Sequence, residues 1–299
     1  MTANGCDRSP GEGRPTPPRP TRGRPAPPRF DPGRPTVLAV GGLDPSGQAG
    51  VLRDFTTLQD CDTRPACVAA CLTAQGPGGV RGVFPVEPEV LRAQIEAVLA
   101  DLQPAVVKVG LVPTAALAAT LREVLRQRRP PGRGQAPGRG QAPEAGPLVV
   151  VDPVIRATGG TLLLCDDPAL WRQEILRLAD VLCPNAPELA FLAGVELRDV
   201  AEAGQAAGDL LRSPEGGGLT ALVVKGGHLG GLTCCDSVVI RGRPPLILEI
   251  ARCPGPELRG TGCRHASALA AALARGDDVA TAARRAQTYV ASQIGFPPL

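Results

Sequence analysis

Short aliphatic runs alternate along the chain with segments whose apolar positions recur at the spacing of an amphipathic helix. The runs predict strands, because a strand that is buried on both faces is aliphatic throughout. The predicted strands are Val37–Val40, Cys67–Leu72, Ala105–Val109, Leu148–Val151, Val181–Cys183 and Ala221–Val224. The predicted helices between them are Val51–Gln59, Val90–Leu102, Ala115–Arg126, Leu170–Leu178, Pro187–Ala193 and Val200–Leu211. A hairpin (Asp236–Ile240 with Leu246–Ile250) and two last helices (Cys263–Arg275 and Val279–Ile294) follow.

This alternation predicts an α/β fold in which helices cover both faces of a mostly parallel central sheet. In such sheets a ligand lies beyond the carboxyl ends of the strands. Polar residues and glycines that could take part in binding or catalysis do come at the ends of predicted strands. They are Gly41–Asp44, Gln75, Lys108–Gly110, Asp152, Asn185 and Lys225–His228. We therefore expect one open site at that edge of the sheet.

Composition separates two segments from this pattern. Residues 1 to about 35 hold ten prolines and seven arginines, so we predict a disordered tail before a domain spanning residues 36–296. Residues 127–147 contain GRGQAP twice and predict a disordered surface insertion, with a basic partner-binding arm as the alternative. The tail carries a net charge of +4, so the rest of the chain is close to neutral. With only 2% aromatic residues as well, nucleic-acid binding is not expected.

The ten cysteines show no CxxC spacing, and several (Cys67, Cys71 and Cys183) lie in apolar runs, so we predict reduced and mostly buried thiols. The first residues lack the apolar region of a secretory signal. No apolar run approaches the roughly 20 residues of a membrane span. These features predict a cytosolic protein.

The segment Gly260-Thr261-Gly262-Cys263 opens a helix of small residues. Its glycines allow a tight turn that exposes consecutive N–H groups at a helix N-terminus, which is a favourable place for an anion. A cysteine in the first turn of such a helix is expected to have a lowered pKa. The turn therefore predicts an anion site with a base beside it; a glycine-rich helix start with a buried cysteine is the alternative.

Asn185 and Glu188 lie after another aliphatic strand, in the segment CPNAPE. An amide and a carboxylate on one side of a helix start can orient Mg²⁺ through water. They can equally cap the helix, so both roles stay open. Asp152 and Lys225 also end strands, with Gly226 and Gly227 after the lysine. For these two the alternatives are a loop cap and a solvated charge.

The loop from Gly41 to Gly50 is rich in glycine but has no GK[ST] sequence, so it is not a Walker A motif. We expect its amides to surround a small ligand, with Asp44 and Asp54 as polar anchors. Gln75 ends the next strand, and its amide can both donate to and accept from an amino-substituted heteroaromatic ring.

Taken in order, GLDPSGQAG, LTAQ, VKVG, VDPV, ATGG, CPNAPE, VKGGH and GTGC resemble the hydroxymethylpyrimidine/phosphomethylpyrimidine kinases of thiamine biosynthesis, in the ribokinase-like superfamily. The resemblance covers about Thr36 to Ile294, without the insertion. It implies a three-layer sandwich, a cytoplasmic homodimer, and transfer of phosphate from Mg·ATP to 4-amino-5-hydroxymethyl-2-methylpyrimidine and then to its monophosphate.

The resemblance also implies a role for each matching residue. Catalysis would fall to Cys263, as base, and to the amides of Gly260, Thr261 and Gly262. Substrate contacts would come from Gly42, Asp44, Asp54, Gln75, Gly110 and Leu111. Lys225, Gly226 and Gly227 would face the nucleotide, and Asn185, Glu188 and Asp152 would hold the metal.

Several positions depart from the family pattern. Arg259 precedes the glycine turn where histidine is frequent, and Arg264 and His265 follow Cys263 where small or hydroxyl residues are usual. These added cations would either aid phosphate binding or crowd the site. Two alternative functions remain open: a pyridoxal/pyridoxamine kinase on the same scaffold, and a catalytically silent pyrimidine-binding homologue.

Overall fold

The computed structural model describes residues 33–127, 146–228, 232–252 and 258–295. All of the described residues belong to one compact unit. The predictions of a disordered tail and of a disordered insertion fall almost wholly outside the described residues.

Nine strands form one sheet in the described chain. They are β1 (Thr36–Leu43), β2 (Arg64–Gly76), β3 (Gly79–Pro85), β4 (Val106–Val109), β5 (Leu148–Val151), β6 (Val181–Leu182), β7 (Ala221–Val224), β8 (Thr233–Ile240) and β9 (Leu246–Ala251). Their order is β3-β2-β1-β4-β5-β6-β7-β8-β9. The six strands from β2 to β7 in this order are parallel, while β3 and the β8–β9 hairpin pair antiparallel at the two ends.

Eight α-helices connect or follow these strands. They are α1 (Gly50–Asp60), α2 (Pro88–Leu102), α3 (Ala115–Arg126), α4 (Pro168–Leu178), α5 (Ala186–Ala193), α6 (Val200–Arg212), α7 (Thr261–Ala274) and α8 (Val279–Gly295). The predicted α/β class, with helices on both faces of a mostly parallel sheet, is confirmed.

Alternation along the buried strands divides the core into two layers. In β1, Leu38 and Val40 face the layer that holds the apolar side chains of α2 to α6, and Val37 and Ala39 face the layer that holds α1, α7 and α8. Lys108 interrupts this pattern in β4, since it is fully buried between Val107 and Val109. The site described below includes this lysine.

The helix starts differ in how their first N–H groups are satisfied. Side chains of Thr114, Asp167, Asn185 and Asp199 cap α3, α4, α5 and α6. Helix α7 has Gly260 as its N-cap residue, and no side chain caps it. Because the first N–H groups of a helix have no partner inside the helix, an uncapped start can bind an acceptor from elsewhere.

The described cysteines are free thiols. Cys71 and Cys183 are buried as expected, whereas Cys67 and Cys165 are exposed. Within the described ranges, no helix combines the length and apolar character that crossing a membrane requires.

Candidate active site

The glycine turn before α7 lies against two other segments at the carboxyl edge of the sheet. Gly260 has φ of 73°, a left-handed conformation, and any Cβ there would clash with the carbonyl of Gln48 in the loop after β1. A Cβ on Gly262 would lie 3.5 Å from Nζ of Lys225 and 3.7 Å from an oxygen of Asp152. The turn therefore joins the glycine-rich loop to the ends of β5 and β7, as one site would require.

Cys263 lies three residues into this turn, in the first turn of α7, half-buried. The sequence predicts a lowered pKa, and that prediction is wrong. Burial raises the pKa of the Cys263 thiol to about 11; Lys108 acts to lower it, while the carboxylates of Asp54 and Asp152 raise it further. The helix start does not overcome burial and two nearby carboxylates, so the resting group is a thiol.

Lys225 is buried between two carboxylates. Its Nζ lies 2.5 Å from Oδ1 of Asp152 and 3.7 Å from Oε2 of Glu188. Burial alone would lower the pKa of Lys225, but Asp152 and Glu188 raise it above its ordinary value. The lysine is therefore a fixed ammonium rather than the solvated charge that the sequence left open, and Asp152 pairs with it instead of capping a loop.

Asn185 and Glu188 form a reciprocal capping box at the start of α5. The Asn185 side chain accepts from the Glu188 N–H at 2.9 Å, and the Glu188 carboxylate accepts from the Asn185 N–H at 2.8 Å. The capping alternative is thus what the structure shows. It also orients Glu188 towards Lys225, because the oxygen that accepts from Asn185 is the one facing the ammonium.

The donors around Lys225 suit a hydrated Mg²⁺. Burial raises the pKa of Glu188 to about 7, although Lys225 acts to lower it. Lys225 therefore does not fully stabilise the ionised carboxylate, and a further cation beside it would be favourable. Mg²⁺ prefers carboxylate oxygens and keeps several waters, so the donors need not surround it fully. Within the described residues there is no cluster of three or more His, Cys, Asp or Glu side chains able to hold a metal. The residues therefore fit a partly hydrated ion, not an ion held by protein alone.

The loop after β1 is organised by Asp44. This carboxylate is fully buried; Oδ1 accepts from the N–H and hydroxyl of Ser46 at 2.9 and 2.8 Å, and Oδ2 accepts from the Ala49 N–H at 3.0 Å. The structure therefore gives Asp44 a loop-shaping role in place of the predicted substrate contact, because both of its oxygens are used inside the loop.

Asp54 also differs from its predicted role. It is 1% exposed, and its two oxygens each lie 2.9 Å from Nζ of Lys108; Oδ1 also accepts from Ser267 of α7 at 2.8 Å. The carboxylate thus pairs with Lys108 and Ser267 inside the core near Cys263 and is not open to a substrate. Lys108 was expected at this edge of the sheet but was given no role, although a lysine inside the aliphatic run VVKV could have indicated a buried ion pair.

A small apolar cluster lies beside the remaining substrate candidates. Leu111 packs with Cys71 and Leu163, and Val80 of β3 packs against them. Gln75, half-buried near the end of β2, pairs with Val80 across the ladder.

Two glycines border the same cluster. A Cβ on Gly42 would contact Cys71 and Leu111, at 3.0 and 3.1 Å, so this glycine lets the β1 end pack closely there. Gly110 follows β4, and a Cβ there would lie 2.9 Å from Nζ of Lys108. Gln75, Gly42 and Leu111 therefore lie around this apolar cluster, and Gly110 lies between Leu111 in the chain and the Lys108 ammonium. Their contact with a substrate stays a prediction.

The two cations after Cys263 do not enter the anion site. A guanidinium nitrogen of Arg264 donates to the Arg259 carbonyl at 2.5 Å, and Arg259 donates to the Gly76 carbonyl, so these arginines tie the turn to the end of β2. His265 is buried, with Nε2 2.9 Å from Oδ2 of Asp236. Neither of the two roles left open, phosphate binding or crowding, describes these contacts.

Gly226 and Gly227 follow Lys225 in a short 3-10 turn. The Gly226 N–H donates to Oδ1 of Asp236 at 2.9 Å, and Gly227 is exposed. Asp236 was predicted only as the start of a hairpin strand, because an acidic residue there carries no pattern that indicates a place in the site.

Comparisons with known proteins indicate the family of this chain. A family model described as phosphomethylpyrimidine kinase matches residues 44–133 and 140–297. The hydroxymethylpyrimidine/phosphomethylpyrimidine kinase of Streptomyces coelicolor is 34% identical over 87% of this chain and 90% of its own length.

Solved structures are similar as well. A phosphomethylpyrimidine kinase from Clostridium difficile superposes with a TM-score of 0.69 at 26% identity, over 87% of this chain and all of the other. An ADP complex of Bacillus subtilis pyridoxal kinase superposes with a TM-score of 0.71 at 24% identity, over 89% and 94% of the two chains. At that identity the second likeness shows the fold alone.

Proposed function

Because this chain belongs to the phosphomethylpyrimidine kinase family, we propose that it uses Mg·ATP to phosphorylate 4-amino-5-hydroxymethyl-2-methylpyrimidine and then the resulting monophosphate. The product would be the pyrimidine diphosphate used in thiamine biosynthesis. The observation that carries the proposal is the approach of the uncapped α7 start to Lys225 and Asp152. A phosphoryl group placed there meets N–H groups, an ammonium and the half-buried thiol together.

Charge stabilisation would supply most of the rate, as in phosphoryl transfer generally. The N–H groups of Gly260, Thr261 and Gly262 would bind the oxygens of the transferring group, with help from the positive end of the helix. Lys225, followed by Gly226 and Gly227, would face the nucleotide phosphates. Because Asp152 and Glu188 hold Lys225 from two sides, its ammonium needs little reorganisation when ATP binds.

Asp152, Asn185 and Glu188 would hold Mg²⁺, Asn185 by fixing the carboxylate of Glu188. The ion would neutralise charge on the nucleotide phosphates. Removal of Mg²⁺ with a chelator should abolish turnover, and Glu188→Gln should raise the Mg²⁺ concentration needed for half-maximal rate. An unchanged Mg²⁺ requirement in Glu188→Gln would contradict this assignment.

Cys263 would accept the proton of the substrate hydroxyl in its thiolate form, which is the minor form at neutral pH. Gln75 would bind the pyrimidine edge through its amide, with Gly42, Gly110 and Leu111 forming the apolar wall beside the ring. Asp44 and Asp54 act on this pocket indirectly, Asp44 through the loop after β1 and Asp54 through Lys108.

One assay separates this function from its alternatives. Purified protein is incubated with ATP and, separately, with the pyrimidine alcohol, its monophosphate and pyridoxal, and ADP release is followed. We expect turnover with both pyrimidines and a lower kcat/KM for pyridoxal. A preference for pyridoxal would make the chain a vitamin B6 kinase, and pyrimidine binding without ADP release would make it a silent homologue.

A homodimer is proposed as well. Leu72 of β2 and Phe84 of β3 are directly opposite each other in the ladder, and both are more than half exposed. Leu52 and Phe55 of α1 are also exposed. A cluster of large exposed apolar side chains is typical of an interaction site. Light scattering should give twice the chain mass, and Leu72→Glu with Phe84→Glu should give a monomer; a monomeric wild type would refute the dimer.

The cytoplasmic location of the protein stays a prediction.

A further inference from the structure

His265 occupies a position that the proposed chemistry does not use. It lies two residues after Cys263, on the buried side of α7, and is 5% exposed. Its Nε2 is 2.9 Å from Oδ2 of Asp236 in β8, and its Nδ1 is 3.4 Å from Sγ of Cys183, which follows β6. The imidazole therefore touches two strand segments behind the phosphate-binding turn.

Asp236 connects this histidine to the nucleotide side of the site. The carboxylate is 2% exposed, and while Oδ2 faces His265, Oδ1 accepts the N–H of Gly226 at 2.9 Å. Gly226 lies flat against β8, since any Cβ there would clash with the carbonyl of Cys235. One buried carboxylate thus links the helix that carries Cys263 to the turn that carries Lys225.

The charges in this cluster are balanced. Burial would lower the pKa of His265, but Cys183 and Asp236 raise it to about 10, so the ring is an imidazolium near neutral pH. An imidazolium donates from both nitrogens, which matches an acceptor on each side. A buried carboxylate with a charged, hydrogen-bonded partner keeps its position more firmly than one without it.

The position of Gly226 governs that of its neighbour. The Lys225 N–H donates to the Pro184 carbonyl at 2.8 Å, and its side chain points at Asp152. The backbone of residues 225–226 is therefore fixed on one side by the end of β6 and on the other by Asp236. If the hold on Asp236 is lost, the Gly226 N–H loses a fixed acceptor, and the lysine loses its distance from the turn before α7.

We propose that His265 is a positioning residue for the nucleotide: through Asp236 it holds the Gly226 N–H, and with it Lys225, at a set distance from the phosphate-binding turn. The proposal rests on the proposed ATP-dependent function. The alternative is that the cluster only stabilises the fold.

Two amide variants separate these explanations. The amide nitrogen of glutamine can reach the place of Nε2 and keep the contact with Asp236, whereas that of asparagine reaches only the place of Nδ1, facing Cys183. We expect His265→Asn to raise the KM for ATP about tenfold, the loss expected for one buried charge-assisted hydrogen bond. His265→Gln should stay within about threefold of wild type, and both should keep the pyrimidine KM within about twofold.

Asp180→Ala is the matched control. Asp180 is a buried carboxylate whose Oδ2 accepts the Val149 N–H at 2.7 Å, at the amino ends of the parallel strands and away from the site. This variant removes a buried carboxylate hydrogen bond far from the site, so it should lower the melting temperature and leave the KM for ATP unchanged.

Direct binding of a fluorescent ADP analogue gives a second readout that needs no turnover. Its Kd should rise in His265→Asn and change little in His265→Gln. Equal nucleotide affinity in both variants and wild type, with only a lower melting temperature, would overturn the proposal. If wild-type protein binds ADP but does not phosphorylate the pyrimidine, the proposed function fails while the binding comparison still decides the role of His265.

Discussion

At the scale of single residues, the thiol of Cys263 is the group whose surroundings differ most from those expected of a base. A pKa of about 11 leaves about one thiolate in 10⁴ molecules at pH 7. The rate of proton acceptance should therefore rise with pH as the thiolate fraction rises. This argument gives a kinetic test of the assigned role.

We predict that Cys263→Ala lowers turnover about 10²–10⁴-fold without changing ATP binding, which is the range for loss of a general base. In wild type, log kcat should increase with pH between about 7 and 10, since thiolate is the acceptor. Cys263→Asp supplies a base that is ionised at neutral pH, so its profile should be flat there. Steady-state kinetics across this range provide the measurement, and an unchanged rate in Cys263→Ala would remove the thiol from the mechanism.

The buried pair of Asp54 and Lys108 gives a second prediction. Asp54→Asn leaves the Lys108 ammonium unpaired in the core, so the free energy of unfolding should fall by about 3–5 kcal/mol. Asp54→Leu combined with Lys108→Met removes both charges and should recover most of that loss. Urea unfolding measures both effects.

Glu202→Gln is a suitable control for that experiment, because it breaks the exposed pair with Arg198 and should not change stability measurably. If Asp54→Asn keeps full stability and loses pyrimidine affinity instead, the carboxylate contacts substrate after all.

Sequence patterns identified residues more reliably than their contacts. The pairing of Asn185 with Glu188 follows from spacing alone, because a side chain at the helix start reaches the third helical residue. Asp54 and Asp44 could not be placed in this way. The partner of Asp54, Lys108, is 54 residues away and depends on how separate segments pack. The partners of Asp44 depend on how its own loop folds back.

At the scale of elements, the left-handed start of α7 leads to a third prediction. Gly260→Ala and Gly194→Ala each put a side chain at a φ near 70°, which costs about 1 kcal/mol of stability. Only at Gly260 does the new methyl group also clash with the Gln48 carbonyl; no atom lies within 4 Å of it at Gly194.

We therefore expect Gly260→Ala to reduce kcat/KM at least about tenfold. Gly194→Ala should retain wild-type kinetics, although its left-handed backbone should cost a similar amount of stability. Thermal unfolding and steady-state kinetics of the two variants decide this. Equal kinetics would mean that the turn does not need its close approach to the loop after β1.

Most elements follow from the hydrophobic pattern, and three of the predicted ranges (β5, β7 and α3) match the structure end to end. Strand β3 was missed. Its sequence, GVRGVFP, contains two glycines and a proline, and none of its residues is fully buried. Pairing with the long β2 stabilises this edge strand, and such non-local pairing leaves little trace in the local pattern.

At the scale of the whole described domain, stability should depend on pH through His265. The folded pKa of about 10 lies above the ordinary 6.5, so the charged ring stabilises the fold fully below pH 6.5. This contribution should decline as pH rises towards and through about 10. The groups facing the ring are Asp236 and Cys183.

Measurement of the unfolding free energy of wild type and His265→Gln at a series of pH values isolates this effect. The difference between the two proteins should be largest below pH 6.5 and should shrink towards alkaline pH, because glutamine does not titrate. A constant difference across this range would show that the ring is not charged in the folded protein.

The position of the site could be inferred at this scale because parallel strands bring their carboxyl ends to one edge. Asp152, Asn185 and Lys225 meet there as expected. The electrostatics could not be inferred in the same way. The pKa values of Cys263 and Glu188 depend on burial and on two buried lysines with their carboxylates. Burial is a property of the assembled sheet and helices.

The late position of α7 in the chain has a consequence for how the protein folds while it is being translated. During translation the strands from β1 to β9 emerge before Thr261, so the sheet is made while α7 and α8, which complete one of the two layers, are still missing. Until then Asp54 lacks Ser267, Asp236 lacks His265, and the apolar side chains of that layer are open to solvent. A nascent chain that stalls before α7 should therefore be both inactive and a target for chaperones.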